Sequence, residues 1–311
     1  MIVALAVPTL SLGFSPSNGA DGVIAQSHSH AHDSSRDGIP TFHHVFVVVM
    51  ENLGYRSVLA TPGFASLAHR YALATNYYAV AHPSLPNYLA LTSGSTWRID
   101  SDCVECFVKA PNLAEELHAA RISFSAYMEG IPTPCFLADY GGNDYASKHD
   151  PFRYYDDVRA SSSLCDAIRP ESELPGLLAG PASAVPRFVW VTPDLCHDGH
   201  DCSPEVAATW LEGFVNGVTK SAAWKHDGVL FVTWDESDGS DATVAPPDRV
   251  VSCCGGGQVA TLVIAPKLRA GLRVGVAYSH YSLLATIEDA FRLRLLQNAR
   301  RAVPLSAFFR S

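Results

Sequence analysis

Three stretches of this chain leave little choice of environment. HVFVVVM (His44–Met50), GVLFVTW (Gly228–Trp234) and QVATLVI (Gln258–Ile264) are continuous apolar runs rich in β-branched residues. A strand with one face in water alternates polar and apolar residues. Runs without alternation predict strands covered on both faces, as in a parallel sheet flanked by helices. Further strands are expected over 75–80, 122–128 and 186–191, and helices over 63–71, 85–91, 112–120, 204–218 and 281–296. Asn112 suits the N-cap of the third of these helices. Strands alternating with helices predict a three-layer α/β/α sandwich with a mostly parallel central sheet.

With 311 residues, 48% of them hydrophobic, the chain can bury a large core. Residues 1–40 read as a signal-like leader followed by a disordered His/Ser-rich linker, in which SHSHAHD (27–33) offers weak metal ligands. Residues 41–311 are expected to form a single catalytic domain, with an irregular cap inserted at about 130–185. The apolar leader is short and broken by Pro8, so no stable membrane span is expected. A net charge of −9 argues against nucleic acid as a partner. Eight cysteines beside a signal-like leader point to disulfides and to a secreted or cell-envelope location. Cys196 and Cys202 flank a short loop and are expected to pair.

Polar chemistry gathers where the expected strands end. The first runs into Glu51 and Asn52, the strand at 75–80 leads to His82 and Ser84, and the strand at 186–191 enters PDLCHDGHDC (193–202). The run GVLFVTW ends in Asp235 and Glu236. Ligands of open α/β sheets bind beyond the carboxyl ends of the strands. Glu51, Asp235 and Glu236, brought together there, would repel unless a cation joins them. Their oxygens and the Asn52 amide favour one divalent ion, Ca, Mg or Mn over Zn. Ser84 opens a helix, where it suits a plain cap or a nucleophile facing a phosphate at the helix N-terminus. Asn87 is placed to donate to a phosphate oxygen. His149, His197 and His200 are candidates for proton transfer or for holding phosphate oxygens.

Six motifs in order then carry a family resemblance: Met50-Glu-Asn52, His82-Pro-Ser-Leu-Pro-Asn-Tyr88, Lys148-His-Asp-Pro-Phe152, the loop 193–202, Thr233-Trp-Asp-Glu236, and the stretch YSHYSLLATIED at 278–289. Together they resemble the phosphoesterase family, which includes bacterial phospholipase C enzymes and secreted acid phosphatases and belongs to the alkaline phosphatase superfamily. The resemblance implies a metal held by Glu51, Asn52, Asp235 and Glu236, with Ser84 beside it as nucleophile and metal neighbour. The stretch Ser84-Leu-Pro-Asn87 also resembles the Thr-Phe-Pro-Asn of nucleotide pyrophosphatases. His149 matches a histidine near the phosphate, and either His197 or His200 matches another. His280 falls near the site. The two-zinc members carry Asp-His where this chain has Asp235-Glu236, which speaks against a second zinc. The expected activity is metal-dependent phosphoric ester hydrolysis of acid-phosphatase type through a phosphoseryl intermediate. A phospholipase C acting on phospholipid is the neighbouring possibility. A non-catalytic Ca-binding module would use the same carboxylates but leave Ser84 and the histidines unexplained.

Overall fold

The computed structural model describes residues 38–139, 144–239 and 255–310, together with Met1 and Val3. The rest of the leader, the SHSHAHD run, Cys253 and Cys254 lie outside the described residues.

The three unbroken apolar runs are strands with the expected bounds. In chain order the strands are β1 (His44–Met50), β2 (Ala72–Tyr78), β3 (Phe124–Met128), β4 (Ile168–Pro170), β5 (Phe188–Thr192), β6 (Gly228–Trp234), β7 (Gln258–Ile264), β8 (Arg273–Val274) and β9 (Tyr278–Ser279). They form one sheet in the order β4-β3-β5-β1-β6-β7-β2-β8, with β9 also paired to β2. The pairings of β4, β3, β5, β1 and β6 are parallel, and β7 alone runs against its neighbours. Every residue of β1 and β6 is buried, which is why their sequences do not alternate. Because β7 reverses direction and β2 reverses it again, β2 points the same way as β1, β5 and β6. With β3 and β4 parallel to β5, and β8 and β9 parallel to β2, every described strand but β7 has its carboxyl end on one side.

The main helices are α1 (Pro62–Arg70), α2 (Ser84–Ser93), α3 (Leu113–Ala119), α4 (Pro204–Lys220) and α5 (His280–Ala290). α1 packs on α4, and α2 packs on α5 and α3. The α1–α4 approach is close enough that a Cβ on Gly63 would lie 2.8 Å from the Ala208 Cβ. Asn112 caps α3 as expected, accepting the Glu115 N–H at 3.1 Å. Gly94, at φ +75°, closes α2 in the left-handed conformation.

Two expectations differ from what is found. The C-terminal helix stops at Ala290 rather than running to 296. Arg292 takes φ +58°, the Leu293 N–H returns to the Glu288 carbonyl at 2.8 Å, and the Leu296 N–H reaches the Glu288 carboxylate at 3.0 Å. This ending usually carries glycine, and an arginine in its place hides it from a sequence reading. The segment at 130–185, expected as a cap, adds the edge strand β4 to the sheet. It also feeds the buried residues His149, Phe152, Tyr154 and Tyr155 into the body of the fold. The Cys196–Cys202 disulfide is present, as are Cys103–Cys106 and Cys135–Cys165. No helix among the described residues is long and apolar enough to cross a membrane.

Candidate active site

Glu51 follows β1 directly, Asp235 follows β6, and these strands are neighbours in the sheet. Backbone bonds tie the ends together: the Asp235 N–H donates to the Met50 carbonyl at 2.9 Å, and the Glu51 N–H donates to the Asp198 carbonyl at 3.0 Å. Asn52 turns the chain at φ +50°, a conformation asparagine tolerates. Its backbone N–H donates to Asp235 Oδ1 at 3.1 Å, as does the Glu236 N–H at 2.6 Å. Asp235 Oδ2 is buried without a hydrogen-bond partner.

Ser84 is the first residue of α2, after a cis His82–Pro83 bond. Its hydroxyl does not cap the helix. The Oγ donates to Glu51 Oε2 at 3.2 Å, and Ser84 is 1% exposed. The Leu85 N–H is taken instead by Asp102 Oδ1 at 2.9 Å.

His149 is stacked on the ring of Tyr88, with centroids 5.3 Å apart. Its Nε2 lies 2.9 Å from Glu51 Oε1 and its Nδ1 lies 3.2 Å from Asp198 Oδ2. Burial alone would push Glu51 up, but the adjacent imidazolium outweighs it and holds the carboxyl down to about 2. Burial likewise disfavours the His149 cation, yet Glu51 and Asp198 hold it up at about 9. Burial pushes Asp198 up to about 6 against the pull of His149. It also pushes Asp235 well above the carboxylate range, with the charges of Glu51 and Glu236 adding to the effect. Glu236 is raised mainly by burial, and its Oε2 meets His82 Nδ1 at 2.7 Å.

The two candidate loop histidines separate. His200 lies near His149, with ring centroids 6.1 Å apart, and its Nε2 is 3.3 Å from Lys148 Nζ. His197 instead meets Glu129 Oε1 at 2.9 Å and stacks on Trp210. His197, Glu129 and Asp194 bring one ligand-type atom each within 4.8 Å of one another, a group distinct from the expected carboxylate set. His280 is fully buried behind Asp235, with Nε2 2.6 Å from the Asp235 carbonyl and Nδ1 3.2 Å from the Tyr77 hydroxyl. Burial lowers it to about 4, which suits a neutral ring that positions the strand end.

Asn87 differs most from expectation. Its Oδ1 accepts the Val80 and Ala81 N–H groups, each at 2.9 Å, and its Nδ2 donates to the Ala81 and Pro83 carbonyls. The amide is spent on the turn before Ser84 and has no hydrogen left for a phosphate. Asn87→Ala would leave two backbone donors unpaired, at about 1–3 kcal/mol each. The expected result is a loss of roughly 2–6 kcal/mol in stability by urea unfolding.

Asp198, Asp102 and the pairing of His82 with Glu236 are not evident from the sequence. Asp198 sits between two histidines in 193–202, and its acceptor role appears only once β5 and the segment 147–155 meet.

The charge network also sets a pH dependence for the cation-free protein. The His149 contribution is complete below its ordinary 6.5 and is lost as pH rises through about 9. The cost of ionising buried Asp198 is absent below 3.8 and complete above about 6. Both lower stability as pH rises. Tm in chelator is therefore expected to fall from about pH 5 to about pH 9, read by thermal scanning. A rising Tm over that range would contradict the charge assignments.

A family model described as the phosphoesterase family matches residues 21–294. The chain belongs to the phosphoesterase family. An acid phosphatase of Aspergillus fumigatus is 28% identical over 82% of this chain and 56% of its own length. A phosphatidylinositol-3-phosphatase of Mycobacterium tuberculosis is 30% identical over 86% of this chain and 83% of its own. The chain thus spans about half the length of the fungal relatives it matches. A solved Vibrio parahaemolyticus protein of the alkaline phosphatase superfamily shares the fold with TM-score 0.50 and 13% identity, covering 83% of this chain and 72% of that one.

Proposed function

We propose that this chain is a metal-dependent hydrolase of phosphoric esters that acts through a phosphoseryl intermediate on Ser84. The observation that carries this reading is the buried Ser84 hydroxyl, aimed at Glu51 from the first turn of α2. Relatives named acid phosphatase and phosphatidylinositol-3-phosphatase support a phosphate-ester substrate.

The carboxylates fit a divalent cation. Asp235 Oδ2 is a buried orphan, and burial with mutual repulsion raises both Asp235 and Glu236, a cost that a cation removes. Glu51, Asn52, Asp235 and Glu236 would hold it, with the Ser84 oxygen alongside, and hard oxygen donors favour Ca, Mg or Mn. Such an ion supplies positive charge against the phosphoryl oxygens and the serine oxygen.

The chain's own residues do the rest. Glu51 orients the Ser84 hydroxyl and accepts its proton as Oγ forms the new bond to phosphorus and the bond to the leaving alcohol breaks. His149 stays charged between two carboxylates and fixes the Glu51 orientation. His200 is partly exposed beside Lys148 and is better placed than buried His149 to protonate the leaving oxygen. Water then releases phosphate from Ser84. Three disulfides support an oxidising, extracytoplasmic location.

The test is a panel of phosphomonoesters, phosphodiesters and phosphatidylcholine, with acid-quenched protein analysed by mass spectrometry. Phosphate on Ser84 is the expected outcome. Turnover without label at Ser84, and with label at another residue, would refute the mechanism.

A further inference from the structure

Lys148 precedes His149 and stands apart from the chemistry assigned above. Its Nζ donates to Asp102 Oδ2 at 3.2 Å and lies 3.3 Å from His200 Nε2. His200 Nδ1 meets Asp201 Oδ1 at 2.6 Å, so Nε2 is the ring atom turned towards Lys148. The other oxygen of Asp102 accepts the Leu85 N–H, one residue after Ser84. One carboxylate therefore joins the lysine to the helix that carries the serine.

A second path leads to the same place. Lys148 is bonded in sequence to His149, which contacts Glu51, which in turn holds the Ser84 hydroxyl. The ammonium is close enough that its charge acts on Glu51 and Asp235. Yet it is not sealed in: the side chains of Lys148 and Asp102 are 21% and 27% exposed, against 0% for Glu51. A lysine at the rim, held by Asp102 and His200 and joined through Asp102 to the helix of Ser84, can meet an incoming anion.

The charge of that anion matters. A phosphomonoester brings two negative charges at neutral pH, a diester one. A fixed ammonium attracts the first more strongly, and the difference grows as water is excluded. Asp102 can yield its place on Lys148 to a phosphoryl oxygen without leaving the Leu85 N–H.

We propose that Lys148, positioned by Asp102, recognises the second negative charge of a phosphomonoester and makes this site selective for monoesters over diesters. The proposal rests on the phosphoester reading above. A plain structural ion pair would instead affect all substrates alike.

The experiment compares p-nitrophenyl phosphate with bis-p-nitrophenyl phosphate, using the enzyme supplied with its activating cation. Lys148→Met is expected to lower monoester kcat/KM about 100-fold and diester kcat/KM less than about 3-fold. Lys148→Arg should recover part of the monoester loss. Asp102→Asn should shift selectivity in the same direction by a smaller factor, chiefly through KM. Equal losses on both esters in Lys148→Met would overturn the proposal. Inorganic phosphate binding, measured by calorimetry on the same proteins, separates it from the reading beneath. If the wild type hydrolyses neither ester, that reading fails, and undiminished phosphate binding in Lys148→Met removes the role of Lys148 as well. Weakened binding there supports Lys148 as the anion contact.

Discussion

Ser84→Ala is expected to reduce turnover by roughly 10⁴-fold or more while leaving the fold intact. Ser84 is 1% exposed, and its hydroxyl donates to Glu51. The backbone N–H that follows is satisfied by Asp102, and the turn before it by Asn87. Removing one oxygen therefore takes away the proposed nucleophile without uncapping α2. The unfolding midpoint should move by no more than about 1 kcal/mol equivalent. Asn87→Ala provides the contrast, because that change is expected to act on stability first. Activity in Ser84→Ala within about tenfold of wild type would remove the serine from the mechanism.

Chelation is expected to produce the second large effect. Without a cation, buried Glu51, Asp235 and Glu236 face one another, and burial and repulsion hold Asp235 well above its ordinary range. A site in that state lacks the positive charge that the proposed mechanism sets against the phosphoryl group. Dialysis against chelator should lower activity about 10³-fold or more, with recovery on adding back one metal at a time. Ca, Mg or Mn is expected to restore more activity than Zn, because the donors are oxygen atoms. Tm should rise on add-back, since the cation binds the folded state. Full activity at metal contents far below one ion per chain, measured by elemental analysis, would argue for a cation-free mechanism. The two experiments are independent: one removes an oxygen from the chain and the other removes a charge from outside it.

The sheet was readable because its signal is local. HVFVVVM and GVLFVTW carry one polar residue each, His44 and Thr233, and no alternation that would give either strand a wet face, so their burial follows from their composition. Glu51 and Asp235 were readable for a related reason. A carboxylate directly after such a strand has one place to go, the carboxyl edge of the sheet. Ser84 was readable from the prolines and turn residues around it. Asn87 was readable as important but not as to why, because its partners are backbone groups of the preceding turn. The end of α5 was hidden because Arg292 adopts a conformation that glycine normally marks. Asp102 was invisible. Nothing near it in sequence hints that its two oxygens bridge Leu85, 17 residues away, and Lys148, 46 residues away.

The amino-acid sequence alone is enough for the α/β architecture, the strands that run through its centre and the family to which the chain belongs. It also determined which acids stand at the strand ends, since periodicity and strand termini are properties of contiguous residues. The tertiary structure decided what those residues face. It divided the loop histidines, sending His200 towards Lys148 and His149 and His197 towards Glu129. It gave His149 two carboxylates and turned Asn87 inward to hold the chain before Ser84. Partners such as these come from separate segments that meet only after the sheet forms, so no local pattern in the chain encodes them.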